Sequence, residues 1–256
     1  MPYFVTARCL FETYLLRPDA DMNAAIDHWL EQTRDRFGLE LFAYVAMSNH
    51  LHLVVRAPKD NLPEAMQFLL SKVARATNAI RNRRGPVWSD RYHAQVILDD
   101  DALFDRVCYT LMNPVTAGLV SRAEEWPGVT SVHATAQRKL SLTFERATAA
   151  DDVRRLLAEL RVREREAAQH RRTERRPSPS VQRVLAERPT NRPRNPKRSR
   201  QPLCFAGSLD AWKAFRELWK EFRAAYRVAS DAFRARAQPV EFPFGSRPPW
   251  IRSAAS

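Results

Sequence analysis

The order in which two hydrophobic periods follow one another along roughly the first hundred residues restricts the fold of this chain more than any other feature. Tyr3 to Ala7 is a short strand-like run, and Met22, Ala25, Ile26, Trp29 and Leu30 then recur at helical spacing as far as Arg36. Leu41 to Met47 and His50 to Arg56 are two strand-like runs separated by Ser48-Asn49, a small polar pair suited to a tight hairpin turn. Pro63 opens a second helical segment, with Met66, Leu69, Leu70, Val73, Thr77 and Ile80 on one face, and Ala94 to Leu98 returns to strand. The order β-α-β-β-α-β is that of the ferredoxin-like split βαβ arrangement. It predicts an α+β fold: an antiparallel sheet with helices on one face and the other face free for a site. A further helix from about Asp101 to Met112 follows, with Asp99 to Asp101 favourable at its positive end.

Charge narrows the partner. The 256 residues carry 42 Lys and Arg against 29 Asp and Glu, a net +13. Such an excess favours a polyanion, because each phosphate neutralised releases counterions. Nucleic acid leads. A membrane partner is not expected, since no apolar run approaches the roughly 18 residues of a spanning helix and no signal-peptide pattern opens the chain. Cys9, Cys108 and Cys204 are isolated and form neither a disulfide framework nor a thiolate zinc site. These features predict a cytoplasmic, nucleoid-associated protein.

The charge is unevenly placed. Between Arg161 and Arg200 there are 14 Lys and Arg against 4 Asp and Glu, with Pro177, Pro179, Pro189, Pro193 and Pro196. That composition reads as a basic linker, serving as a solvated tether, a clamp on the DNA backbone, or both. Beyond it, Trp212, Phe215, Trp219, Phe222 and Tyr226 recur at helical spacing after a candidate N-cap, Ser208. An aromatic stripe of this kind packs on the main domain or a second subunit, or stacks on unpaired bases. The expected organisation is a catalytic domain over 1–135, a helical and then basic Pro/Arg-rich linker over 136–200, and an aromatic-striped helical extension over 201–256.

Two pairs of residues could carry chemistry. Alternation along the second hairpin strand places His50 and His52 on one face and Leu51, Leu53 and Val55 on the other. Two imidazoles plus an oxygen donor form a metal site with open positions, although a bare His-x-His is more often ordinary histidines. In the last core helix, Tyr109 and Asn113 are four residues apart and so share a side. A phenol becomes a nucleophile toward a phosphodiester once a metal or base assists it, and the Asn113 amide oxygen could be the third donor. In isolation the same pair reads as a packed tyrosine and a capping asparagine. Pro114 biases Asn113 away from helical geometry, so Asn113 is expected at a frayed helix end.

Met47-Ser48-Asn49-His50-Leu51-His52-Leu53, with Tyr109-Thr110-Leu111-Met112-Asn113-Pro114-Val115 and Ala117-Gly118-Leu119-Val120, resembles the REP-associated tyrosine transposases, a group of single-tyrosine HUH transposases. The resemblance runs from Tyr3 to about Val132 and takes in Trp88, Arg91-Tyr92-His93 and Trp126-Pro127. Ser48 stands where that family usually has proline, a departure in the turn rather than at a ligand. The resemblance implies metal ligation by His50, His52 and Asn113, with Mg2+ or Mn2+ as cofactor, and Tyr109 as nucleophile. It implies cleavage and strand transfer on single-stranded or hairpin DNA through a 5′-phosphotyrosine adduct, by a monomer or a homodimer. Lys59, Lys72, Arg75, Arg81, Arg83, Arg84 and Arg91 are candidates for gripping the DNA backbone, with a solvated helix face as the competing reading. His93 reads as a packed strand histidine outside the catalytic set. The alternative function is a nucleic-acid-binding protein of the same fold that no longer cuts.

Overall fold

The alternation of periods folds in the expected order. β1 (Pro2–Arg8) leads to α1 (Ala20–Phe37), the hairpin of β2 (Glu40–Met47) and β3 (His50–Arg56), then α2 (Leu62–Ile80), β4 (His93–Ile97) and α3 (Asp100–Thr116). The structure, a computed structural model, describes residues 1–133, 149–176, 180–186, 202–236, 239–243 and 246. The sheet runs β2-β3-β1-β4 with each neighbouring pair antiparallel, the strand order of the split βαβ arrangement. Asp19 starts α1 and Asp99 starts α3, each accepting a hydrogen bond from the free N–H three residues on, at Met22 and Ala102. Gly38 ends α1 in the left-handed conformation at φ 67°, which glycine adopts without a Cβ penalty.

Because successive strand residues point to opposite faces, the sheet feeds two cores. Val5, Ala7, Leu51, Leu53 and Val55 join Met22, Ile26, Leu30, Met66 and Leu69 of α1 and α2. Phe4, Val45, Met47 and Val54 join Leu103, Val107, Leu111 and Val115 of α3. The two helices of the split βαβ unit thus share one face as expected, while the other face, expected to be free, is covered by α3. The apolar stripe of α3 would face water if it did not lie across the second face of the sheet.

Tertiary packing changes three boundaries. First, α3 runs through Pro114 to Thr116. A proline inside a helix removes one backbone bond, yet Pro114 and Val115 are buried and the Ala117 N–H reaches the Asn113 carbonyl at 3.0 Å. Asn113 thus sits on a formed helix rather than at a frayed end. Second, the stretch from Arg161 does not begin a linker. It continues α4 (Ala149–Thr173), whose Val153, Leu156 and Leu160 enter the second core. Glu164 accepts from the Ala123 N–H at 2.8 Å, Arg163 pairs with Asp105 at 3.1 Å, and Arg171 donates to the Val115 carbonyl at 3.0 Å. The short α5 (Val181–Ala186) follows; Pro177, Pro179 and the Pro/Arg-rich residues 187–200 lie outside the described residues.

Third, residues 202–207 lie against the sheet edge and the start of α3 rather than in the extension. β5 (Cys204–Phe205) pairs in parallel with β4, and Gln95 Nε2 donates to the Pro202 carbonyl at 2.8 Å. The Asp99 carboxylate, already the cap of α3, also accepts from the Gly207 N–H at 2.7 Å. A Cβ at Gly207 would stand 2.6 Å from Asp99 Oδ1 and 2.7 Å from Asp101 Cβ, so a larger residue would push this segment off the helix start.

The chain divides into two units, Met1–Gly207 and Ser208–Ser256. In the second, Ser208 caps α6 (Leu209–Arg234) by accepting from the Ala211 N–H. Phe215, Trp219, Phe222 and Tyr226 stack in succession along α6, and Phe242 closes on Tyr226 and Phe233. Among the described residues no helix is long and apolar enough to cross a membrane.

Candidate active site

The two imidazoles come from alternate positions of β3 and turn toward α3. In the sheet register His52 stands opposite Thr6 of β1, and His50 opposite Arg8. His52 Nδ1 lies 2.9 Å from the Thr6 hydroxyl, and its ring stacks on Phe4 at 5.0 Å. His50 Nδ1 lies 2.7 Å from Asn49 Oδ1, an oxygen that can only accept, so Nδ1 carries the proton and Nε2 keeps its lone pair. The rings are 4.6 Å apart at 75°.

That lone pair faces Asn113 Oδ1 at 3.3 Å. Two acceptors opposed in this way are satisfied when a cation lies between them or when the amide turns its NH2 toward the ring. The separation suits a cation, because two donors held about 2.1 Å from a metal at tetrahedral or octahedral angles stand about 3.0–3.4 Å apart. Among the described residues no group of three His, Cys, Asp or Glu converges to hold a metal. Two imidazoles and one amide are uncharged, so an anionic phosphate would be needed to complete the shell and strengthen binding.

Tyr109, one helical turn before Asn113, is 39% exposed, and its ring lies 5.9 Å from that of His52 and 5.7 Å from that of Phe4. One turn further back is Arg106. Its guanidinium sits 4.7 Å from the centre of the Tyr109 ring and 4.2 Å from that of Phe205, while pairing with Asp105. Arg106 Nε is buried with no hydrogen-bond partner among the described residues.

Electrostatics keep both imidazoles neutral. Burial, followed by the charge of Arg8, lowers the His50 pKa to about 4 against a weaker opposing contribution from Asn113. Burial, the neighbouring His50 and Arg8 push His52 well below its ordinary range. Both are neutral at pH 7, the form that binds metal.

His50, His52, Tyr109 and Asn113 are thus brought together by β3 and α3 of a single chain. Three contributors escaped the sequence reading. Arg106 precedes Tyr109 by three residues, so helical spacing alone would have placed it on the same face. Arg8 and Phe205 arrive through strand pairing, which no local pattern reveals.

The residues expected to grip DNA are dispersed. Lys72 and Arg75 lie on α2, which packs on the sheet face opposite the histidines. Lys72 rests over Trp29 at 4.7 Å and Phe68 at 5.3 Å. Arg81 pairs with Asp19 and donates to the carbonyls of Leu15 and Arg17, tying the end of α2 to the start of α1. Arg83 donates to Asn78 Oδ1 and to the Pro86 carbonyl. Lys59, Arg84 and Arg91 are exposed. His93 is also exposed rather than packed. Its register partner is Thr6, so it belongs to the same sheet face as His52.

Residues 17–103 match the family model described as Transposase IS200 like, a span that holds both histidines and stops short of Tyr109. A Haemophilus influenzae protein named among the REP-associated tyrosine transposases is 29% identical over 108 residues, 38% of this chain and 61% of that protein. The chain therefore spans about three-fifths of the length of this curated relative. Among solved structures, a REP-associated tyrosine transposase bound to a REP hairpin is similar with a TM-score of 0.45 and 17% identity, covering 58% of this chain and 86% of that one. A Deinococcus radiodurans R1 protein described as a transposase is similar with a TM-score of 0.32 and 18% identity, covering 38% and 78%.

Proposed function

We propose, from the premise that this chain carries the sequence pattern of the IS200-like transposases over residues 17–103, that it is an HUH-type, metal-dependent single-stranded DNA endonuclease and strand transferase. The observation that carries the reading is the convergence of His50, His52 and Asn113 on one side of the exposed Tyr109. A divalent cation, Mg2+ or Mn2+, held by those three residues would supply Lewis acidity to a phosphodiester oxygen.

The chain's own groups do the rest. Thr6 and Asn49 fix the orientation of His52 and His50 by holding their Nδ1 atoms, the second layer of support that ligating histidines need. Arg106, paired with Asp105, and Arg8, 3.9 Å from Glu12, supply positive charge around a dianion-like transition state. The Tyr109 hydroxyl gives up its proton to solvent and attacks phosphorus. A Tyr109 Oη–P bond forms, the P–O3′ bond breaks, and the departing oxygen is protonated to a free 3′-hydroxyl. The product is a 5′-phosphotyrosine adduct. Reversal with a different 3′-hydroxyl transfers the strand with no external energy source. Hairpin DNA is the proposed substrate form, in line with the resemblance and the basic charge of the chain. All four groups come from one chain, which supports a reading in which a single copy carries this chemistry.

The test is incubation of the full chain with labelled hairpin DNA bearing single-stranded flanks, in Mn2+ or Mg2+ and in EDTA. A denaturation-resistant protein–DNA adduct should form only with metal and vanish in Tyr109→Phe while binding persists. Binding without an adduct under any divalent metal would favour the non-cutting nucleic-acid binder.

A further inference from the structure

We propose that the cleft between the β1–α1 connection and the end of α2 holds an unpaired nucleotide of the DNA, with its base against Phe11 and Tyr14 and its phosphate toward Arg17 and Arg83. The proposal rests on the DNA-cleaving reading above and assigns a place to the strand beside the cut.

The cleft has a volume of about 460 Å³, and its lining combines Phe11 and Tyr14 with Arg17, Arg81 and Arg83. That size falls within the roughly 300–1,000 Å³ of small-ligand sites. Among the described residues no acidic one lines it. Aromatic faces with guanidinium groups are the combination that takes a flat base and its phosphate together, and stacking of this kind accepts any base. The arginines are held in place rather than trailing in solvent. Asp19 and two carbonyls fix Arg81, and Asn78 with the Pro86 carbonyl fixes Arg83.

Phe11 is 56% exposed, and it and Glu12 occupy the left-handed region at φ 55° and 53°. Two successive non-glycine residues there persist only where their surroundings dictate it, and this backbone keeps an apolar ring out of the core.

The cleft is wired to the candidate site. The Cys9 N–H donates to the Asn49 carbonyl at 2.8 Å and the Leu16 N–H to the Ser48 carbonyl at 2.9 Å, so the connection is stitched to the turn that precedes His50. Asn49 Nδ2 reaches the Glu12 carbonyl at 3.4 Å while Asn49 Oδ1 accepts from His50. A strand engaged at Phe11 would therefore lie one asparagine away from the first imidazole.

The test uses the full chain and two probes: a DNA hairpin with a single-stranded thymidine flank containing iododeoxyuridine, and the same hairpin with blunt ends. Ultraviolet crosslinks from the flank should map to Phe11 or Tyr14. Phe11→Ala should weaken binding of the flanked hairpin about five- to a hundredfold, leave the blunt hairpin unchanged, and be rescued by Phe11→Trp. Thermal midpoints identify any variant that has lost its fold, and Arg83→Gln should lessen the salt dependence for the flanked probe alone. Wild-type affinity of Phe11→Ala for the flanked hairpin, or equal losses on both probes, would overturn the subsite even if Tyr109 adducts form normally. Absence of adduct with the Phe11 dependence intact would instead overturn the cleavage reading and leave the subsite standing.

Discussion

The two faces of the sheet are made from alternate residues of the same strands, yet they solve opposite problems. On the α1–α2 face, Leu51, Leu53 and Val55 are at most 2% exposed, and their neighbours are apolar. On the α3 face, the intervening half-buried His50 and buried His52 stay uncharged, His52 beside Phe4, with Tyr109 at the solvent edge. One face holds the strand still so that the other can present polar groups in fixed orientations. Rigidity and chemistry are interleaved at single-residue spacing, which a helix or loop could not arrange as tightly.

Neighbouring substitutions should separate these duties. The largest effect is expected from Tyr109→Phe, which removes one hydroxyl: adduct formation on hairpin DNA should fall below detection on denaturing gels, with the thermal midpoint unchanged. Next, Leu53→Ala should destabilise the protein by about 2–5 kcal/mol in urea titrations, while the fraction still folded forms adduct at the normal rate. His52→Gln, one residue earlier, should do the reverse, losing adduct with little loss of stability. Unfolding by His52→Gln combined with tolerance of Leu53→Ala would break the division between the faces.

A smaller effect should follow pH. His50 titrates near 4 in the folded chain against an ordinary 6.5, so the unfolded chain takes up this proton first as pH falls. The stability tied to neutral His50 is complete above pH 6.5 and declines as pH drops toward about 4. In EDTA, the urea midpoint of the wild type should fall more steeply over that window than that of His50→Gln; parallel curves would show that His50 titrates alike in both states.

The smallest effect concerns the joint between the helices of the apolar face. Asp19→Ala should cost about 1 kcal/mol by removing the α1 cap and freeing Arg81, with adduct formation per folded molecule unaltered. Loss of DNA affinity in that variant without loss of stability would assign Arg81 to DNA after all.

The amino-acid sequence by itself determined the strand and helix order, the common face of His50 and His52, and the shared side of Tyr109 and Asn113. Each follows from a local repeat of two or about 3.6 residues, a property a segment carries wherever it lies. Tertiary structure alone decided that α3 passes through Pro114, that the basic stretch from Arg161 to Thr173 forms the end of α4, and that Arg8 and Phe205 border the site. It likewise turned Arg81 into a strut, joined to Asp19 across 62 residues of chain. These outcomes depend on which surfaces become buried together and which strands pair, and burial across long separations outweighs local propensity and composition.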